Sequence, residues 1–77
     1  MNKLCRFVAE ILGVEHDEVG PDTGPGIIPK WDSLAHIQLV AAMEETYEVQ
    51  LSMDEIINLF SVRDIVTLLE EKGVSLD

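Results

Sequence analysis

Leu4, Phe7, Val8 and Ile11 recur at helical spacing, with Leu12 beside them. The pattern predicts a first helix over roughly Asn2–Leu12, with Gly13 placed as its C-terminal cap. From Val14 to about Asp32 the periodicity dissolves. That stretch holds all three prolines (Pro21, Pro25, Pro29) and three of the five glycines (Gly20, Gly24, Gly26), so it reads as a long loop. Loops of that length in a small domain tend to be functional or mobile. Ile27 and Ile28 are expected to pin it to the core.

A second helix is predicted from about Ser33 to Tyr47, with Asp32 as its N-cap. At 100° per residue it carries two stripes. Leu39, Val40, Met43 and Tyr47 form the expected core face. Leu34, Ile37, Ala41, Glu44, Glu45 and Glu48 form the other, apolar at the start and acidic at the end. Ser33 lies at the edge between them. Val49, Leu51 and Met53 then alternate as a short extended link. Ser52 with Glu55 makes a capping box that opens a short helix containing Ile56, Ile57, Leu59 and Phe60. Ser61 with Asp64 is a second, weaker box. It opens a last helix with Val62, Ile65, Val66 and Leu69 at helical spacing, ended by Gly73. The expected fold is all-α: a small bundle of three main helices plus one short helix, with a long loop between helices one and two.

Length and charge narrow the function. Seventy-seven residues make a single domain over positions 1–77. Its thin core hides only about 60% of the surface of the unfolded chain, which leaves little room for a deep active-site cleft. Fifteen acidic residues against five basic ones give a net charge of −10 at pH 7. Nucleic acid and anionic membrane are therefore excluded as partners, since both require clustered Lys and Arg. A strongly acidic domain suits steered encounters with basic patches on other proteins. Cys5 is the one cysteine, so no internal disulfide forms, and its place in the apolar pattern makes it a packed side chain. No apolar run reaches membrane-spanning length and the first residues show no signal pattern; the expected location is the cytoplasm.

The candidate site is Ser33. At the first turn of a helix, free N–H groups and the positive end of the helix dipole converge, which suits a phosphate. His36 stands three residues on, close enough to touch along a helix. Yet it falls near the core stripe, with no third group to orient it and no glycine-flanked nucleophile elbow. It is expected to be a packing residue at the top of the bundle, or a contact for whatever Ser33 carries. Catalytic residues are expected to be none. Glu15, Asp17, Glu18 and Asp22 cluster in the loop but do not fit the calcium-loop pattern, so no dedicated metal site is expected, and His16 is expected to be solvated.

Taken together, Asp32-Ser33-Leu34 at the head of an acidic second helix, the Gly/Pro-rich first loop, Glu44-Glu45 about eleven residues on and the short third helix resemble the acyl carrier protein family over essentially the whole chain. The resemblance implies that Ser33, flanked by Asp32 and Leu34, carries 4′-phosphopantetheine donated by coenzyme A through a Mg²⁺-dependent phosphopantetheinyl transferase. It implies acyl cargo held as a thioester and no catalysis by the carrier itself. Implied partners are the transferase, an acyl-loading ligase or transferase, and a downstream synthase or acyltransferase. These would dock on Asp32, Leu34, Ile37, Ala41, Glu44, Glu45 and Leu59 of a monomeric carrier. Trp31 stands where the family usually has glycine, and Gln38 where fatty-acid carriers commonly have an acid. The Trp-Asp-Ser-Leu-x-His form resembles stand-alone carriers of specialised pathways. Two alternatives stay open: an aminoacyl or peptidyl carrier, and an unmodified helical adaptor that binds a partner through the Leu34/Ile37/Glu44 stripe.

Overall fold

A computed structural model describes residues 2–75. These form four α-helices: α1 (Asn2–Leu12), α2 (Ser33–Tyr47), α3 (Met53–Ile57) and α4 (Val62–Glu71), with a short 3-10 helix at His16–Glu18. The all-α expectation holds, and four helix boundaries fall where the caps put them. Asp32 accepts from Ala35 N–H at 2.9 Å. Ser52 and Glu55 form the reciprocal capping box. Gly13 and Gly73 adopt φ of 74° and 85°, the left-handed region that glycine enters without penalty. At both ends two N–H groups fold back onto helix carbonyls. Val14 N–H reaches Ala9 O at 3.0 Å and Val74 N–H reaches Leu69 O at 2.9 Å.

The core lies between α1, α2 and α4, with Leu4, Val8, Leu39, Met43, Val62, Ile65 and Leu69 fully buried. Phe7 and Tyr47 meet edge to face across α1 and α2 at 5.7 Å. Cys5 is packed here, and burial pushes its thiol pKa up. Ile11 departs from expectation. At the edge of its stripe it is 36% exposed.

The long loop is fastened by backbone rather than by the pair expected to pin it. Ile28 packs against the core, but Ile27 is 66% exposed. Val19 and Trp31 supply the buried side chains instead. Thr23 O accepts from Val62 N–H and Pro21 O from Arg63 N–H, each at 2.9 Å. Ser61 Oγ accepts from Asp64 N–H at 3.3 Å. The loop and Ser61 thereby satisfy the first three N–H groups of α4, which have no partner within the helix itself. Asp64 reaches back to Phe60 N–H at 3.0 Å rather than to the N-cap. Gly24 makes this approach feasible, because a Cβ there would overlap the carbonyl of Phe60.

Two details of this region differ from the sequence reading. Met53 is the first residue of α3, not the end of an extended link, and is 70% exposed. The short helix closes at Ile57, so Leu59 and Phe60 lie in the connection to α4. Glu55 joins α3 to the end of α4 through Lys72 Nζ at 3.0 Å. The Ser52 backbone N–H and the Lys72 ammonium hold its carboxyl below the usual glutamate range.

Gly24→Ala is expected to lower stability in urea unfolding by about 2–3 kcal/mol, because the methyl meets backbone that cannot swing aside. Gly20→Ala, with open space around its Cβ, is expected to be neutral or stabilising by up to about 1 kcal/mol. Equal effects would contradict the close-approach reading.

Candidate functional site

Ser33 is exposed at the first position of α2. Asp32 is extended at φ −92° and ψ −174°, which turns its carboxylate back over the helix mouth onto Ala35 N–H. The contrast with α4 is informative. There the first three N–H groups have protein partners; at α2, among the described residues, one has, and the N–H groups of Ser33 and Leu34, at the positive helix end, have none. An anion attached to the Ser33 hydroxyl would sit beside unsatisfied donors.

Next to Ser33 lies an open hollow of about 540 Å³, lined by Ser33, His36 and Ile37 on one side and Met53, Ile56, Ile57 and Phe60 on the other, with Trp31 and Asp32 at its edge. Five large apolar side chains flank the serine in the open: Leu34 65%, Ile37 63%, Met53 70%, Ile57 61% and Phe60 66% exposed. Such a patch on a small acidic domain is a candidate binding surface.

Trp31 and His36 hold the site together. The indole is fully buried, so loop packing is its role. Its Nε1–H donates to His36 Nδ1 at 3.0 Å, with the rings tilted at 31°. His36 Nε2 lies 3.1 Å from Ile56 O. The indole nitrogen can only donate. His36 Nδ1 must therefore accept, and Nε2–H donates to Ile56 O. The imidazole bridges the loop, α2 and α3 with both nitrogens engaged, leaving neither free to activate Ser33.

The remaining sequence-selected positions divide. Leu34, Ile37, Ala41 and Glu45 are exposed along one side of α2. Glu44 is half-buried, and its Oε2 accepts from Leu51 N–H at 2.9 Å, which ties the α2–α3 link. Leu59 is buried at 4% exposure and offers no surface. In the loop, Asp22 pairs with Arg63 at 3.3 Å and Glu18 accepts from Glu15 N–H; His16 is exposed. No group of three metal-ligating side chains converges among the described residues. Sequence reasoning missed the exposed roles of Met53, Ile57 and Phe60. Phe60 precedes an N-cap, where an apolar residue ordinarily staples onto the helix, so its exposure runs against the local rule.

Residues 31–69 match the family described as the phosphopantetheine attachment site. Two curated relatives carry the name acyl carrier protein. That of Prochlorococcus marinus (strain MIT 9515) is 32% identical over 72 residues, 94% of this chain and 90% of the relative. That of Bdellovibrio bacteriovorus is 32% identical over 71 residues, 92% of this chain and 91% of the relative.

The two neighbouring glutamates are expected to separate on truncation. Glu44→Ala leaves Leu51 N–H without its charged partner and is expected to cost about 1–2 kcal/mol in urea unfolding. Glu45→Ala is expected to stay within about 0.5 kcal/mol. Indistinguishable stabilities would contradict the assigned tie.

Proposed function

The chain belongs to the acyl carrier protein family, and we propose that Ser33 is the residue to which its 4′-phosphopantetheine is attached. As a family member it carries acyl groups as thioesters on that arm. The observation that carries the assignment is the exposed hydroxyl at the head of α2, between unsatisfied helix N–H groups and an apolar hollow. Attachment joins Ser33 Oγ to the phosphorus of the donor, breaks that phosphorus's bond to the nucleotide, and removes the hydroxyl proton. The first-turn donors then favour the phosphodiester charge.

The chain performs no reaction on its cargo. His36, the nearest candidate base, has both ring nitrogens committed, and a transferase supplies the chemistry of attachment. Loading ligases and downstream synthases or acyltransferases dock on the exposed side of α2. Leu34, Ile37 and Ala41 provide apolar contact; Asp32 and Glu45 steer a basic partner, with Glu44 adding charge while tied to Leu51. Residues 1–77 act as one carrier domain, monomeric and cytoplasmic. Among the described residues, no helix is long and apolar enough to cross a membrane. Trp31 and Gln38, where housekeeping carriers differ, support a carrier of a specialised pathway.

Incubation with coenzyme A, Mg²⁺ and a promiscuous phosphopantetheinyl transferase is expected to add one phosphopantetheine by intact mass, and none to Ser33→Ala. No gain with several transferases, or a gain retained in the variant, would refute the attachment site. Glu45→Lys is expected to slow association with a basic partner enzyme at low salt by about tenfold while leaving dissociation nearly unchanged. An unchanged stopped-flow association rate would remove Glu45 from the docking surface.

A further inference from the structure

α3 is five residues long, none of them fully buried, with Ile56 half-buried against the core, and so short a helix does not hold itself in water. Polar ties add to that contact. Glu55 pairs with Lys72 at one side, and His36 Nε2–H donates to Ile56 O at the other. The second tie lies beside Ser33. His36 and Ser33 line the same hollow, and its opposite wall is Met53, Ile56 and Ile57.

The His36 ring makes both of its hydrogen bonds in one protonation state only. With Trp31 Nε1–H donating, Nδ1 must present its lone pair. A second proton would enter at Nδ1 and set N–H against N–H across a 3.0 Å contact. Trp31 is fully buried, so its donor has no water to turn to. The ring must then swing away from the indole, and the Ile56 carbonyl moves with it or is released.

We propose that His36 is a positioning residue whose neutral ring latches α3 beside Ser33, and that its protonation parts the ring from Trp31 and shifts α3, reshaping the wall of the hollow. Among the described residues, one carboxylate shares the hollow with the ring. Asp32 is the other titratable group lining the hollow, and its Oδ1 is held by Ala35 N–H. On α3, Asp54 and Glu55 line a different hollow together with Asp64 and Glu71, and Glu55 is engaged by Ser52 and Lys72. Lys30 in the loop is exposed. The consequence for cargo and partner enzymes rests on Ser33 as the attachment site; the latch itself does not.

The test is an NMR titration of the unmodified ¹⁵N-labelled chain from about pH 8 to about pH 5. Trp31 is the one tryptophan, so its indole N–H signal assigns itself. At the alkaline end the His36 ring nitrogens are expected to show the Nε2–H tautomer. On acidification the indole signal is expected to shift and lose exchange protection on one curve with the His36 ring and the Met53–Ile57 amides. His36→Gln can accept from Trp31 and donate to Ile56 without titrating, and is expected to abolish the step. The proposal is overturned by an Nδ1–H tautomer at high pH, by an indole signal unmoved while the ring titrates, by a ring that stays neutral to about pH 5, or by the same α3 step in His36→Gln. Should that variant fail to fold, the wild-type tautomer and the coincidence of the curves still decide. None of these readouts uses the arm, so a negative mass experiment at Ser33 leaves them standing.

Discussion

The fold depends on burying one indole. Trp31 sits at the end of a long irregular loop, immediately before the helix that displays Ser33, and none of it is exposed. Burying so large a side chain fixes where the loop ends and α2 begins. It also creates an obligation, because a buried indole N–H without a partner is costly. His36 meets that obligation and passes the constraint on to Ile56 O. A single side-chain chain of contacts therefore sets the loop, the head of α2 and the position of α3. Gly24 and the carbonyls of Pro21 and Thr23 fasten the other end of the loop to α4.

This arrangement explains how so small a chain keeps a functional surface without a cleft. α1, α2 and α4, with Val19, Trp31 and Leu59 from the connections, close the core. The exposed apolar residues around Ser33 are then free of any packing duty. Leaving Leu34, Ile37, Met53, Ile57 and Phe60 in water forgoes burial that a purely structural design would use. The net charge of −10 suits encounters with basic surfaces. What distinguishes Ser33 is its position: the same helix-end donors that α4 has satisfied with loop carbonyls are left open at α2.

Much of this was legible in the sequence because it is local. Capping residues act within a few positions, so Asp32, Ser52, Gly13 and Gly73 announce their roles: α1 ends before Gly13, α2 begins after Asp32, α3 begins after Ser52 and α4 closes just before Gly73. Ser33 was legible for the same reason. What was not legible depends on partners distant in the chain. Ile27 and Ile28 are chemically alike, and only the path of the loop decides that Ile28 packs while Ile27 faces water. Glu44 and Glu45 are likewise adjacent, and the Leu51 N–H seven residues on selects Glu44. Leu59 reads as one more apolar residue of a short helix, yet α3 closes at Ile57 and Leu59 turns inward. The His36–Ile56 contact spans twenty residues, and no periodicity encodes it.

The central claim is that the bundle is complete without the arm and presents it from Ser33 at the edge of the hollow. Comparing ¹H–¹⁵N spectra of the unmodified and phosphopantetheinylated chain tests this most directly. The account predicts signal changes confined to the head of α2 and the residues lining the hollow, with the α1 and α4 core signals unmoved. Changes spread through α1 and α4, or absent around Ser33, would contradict it.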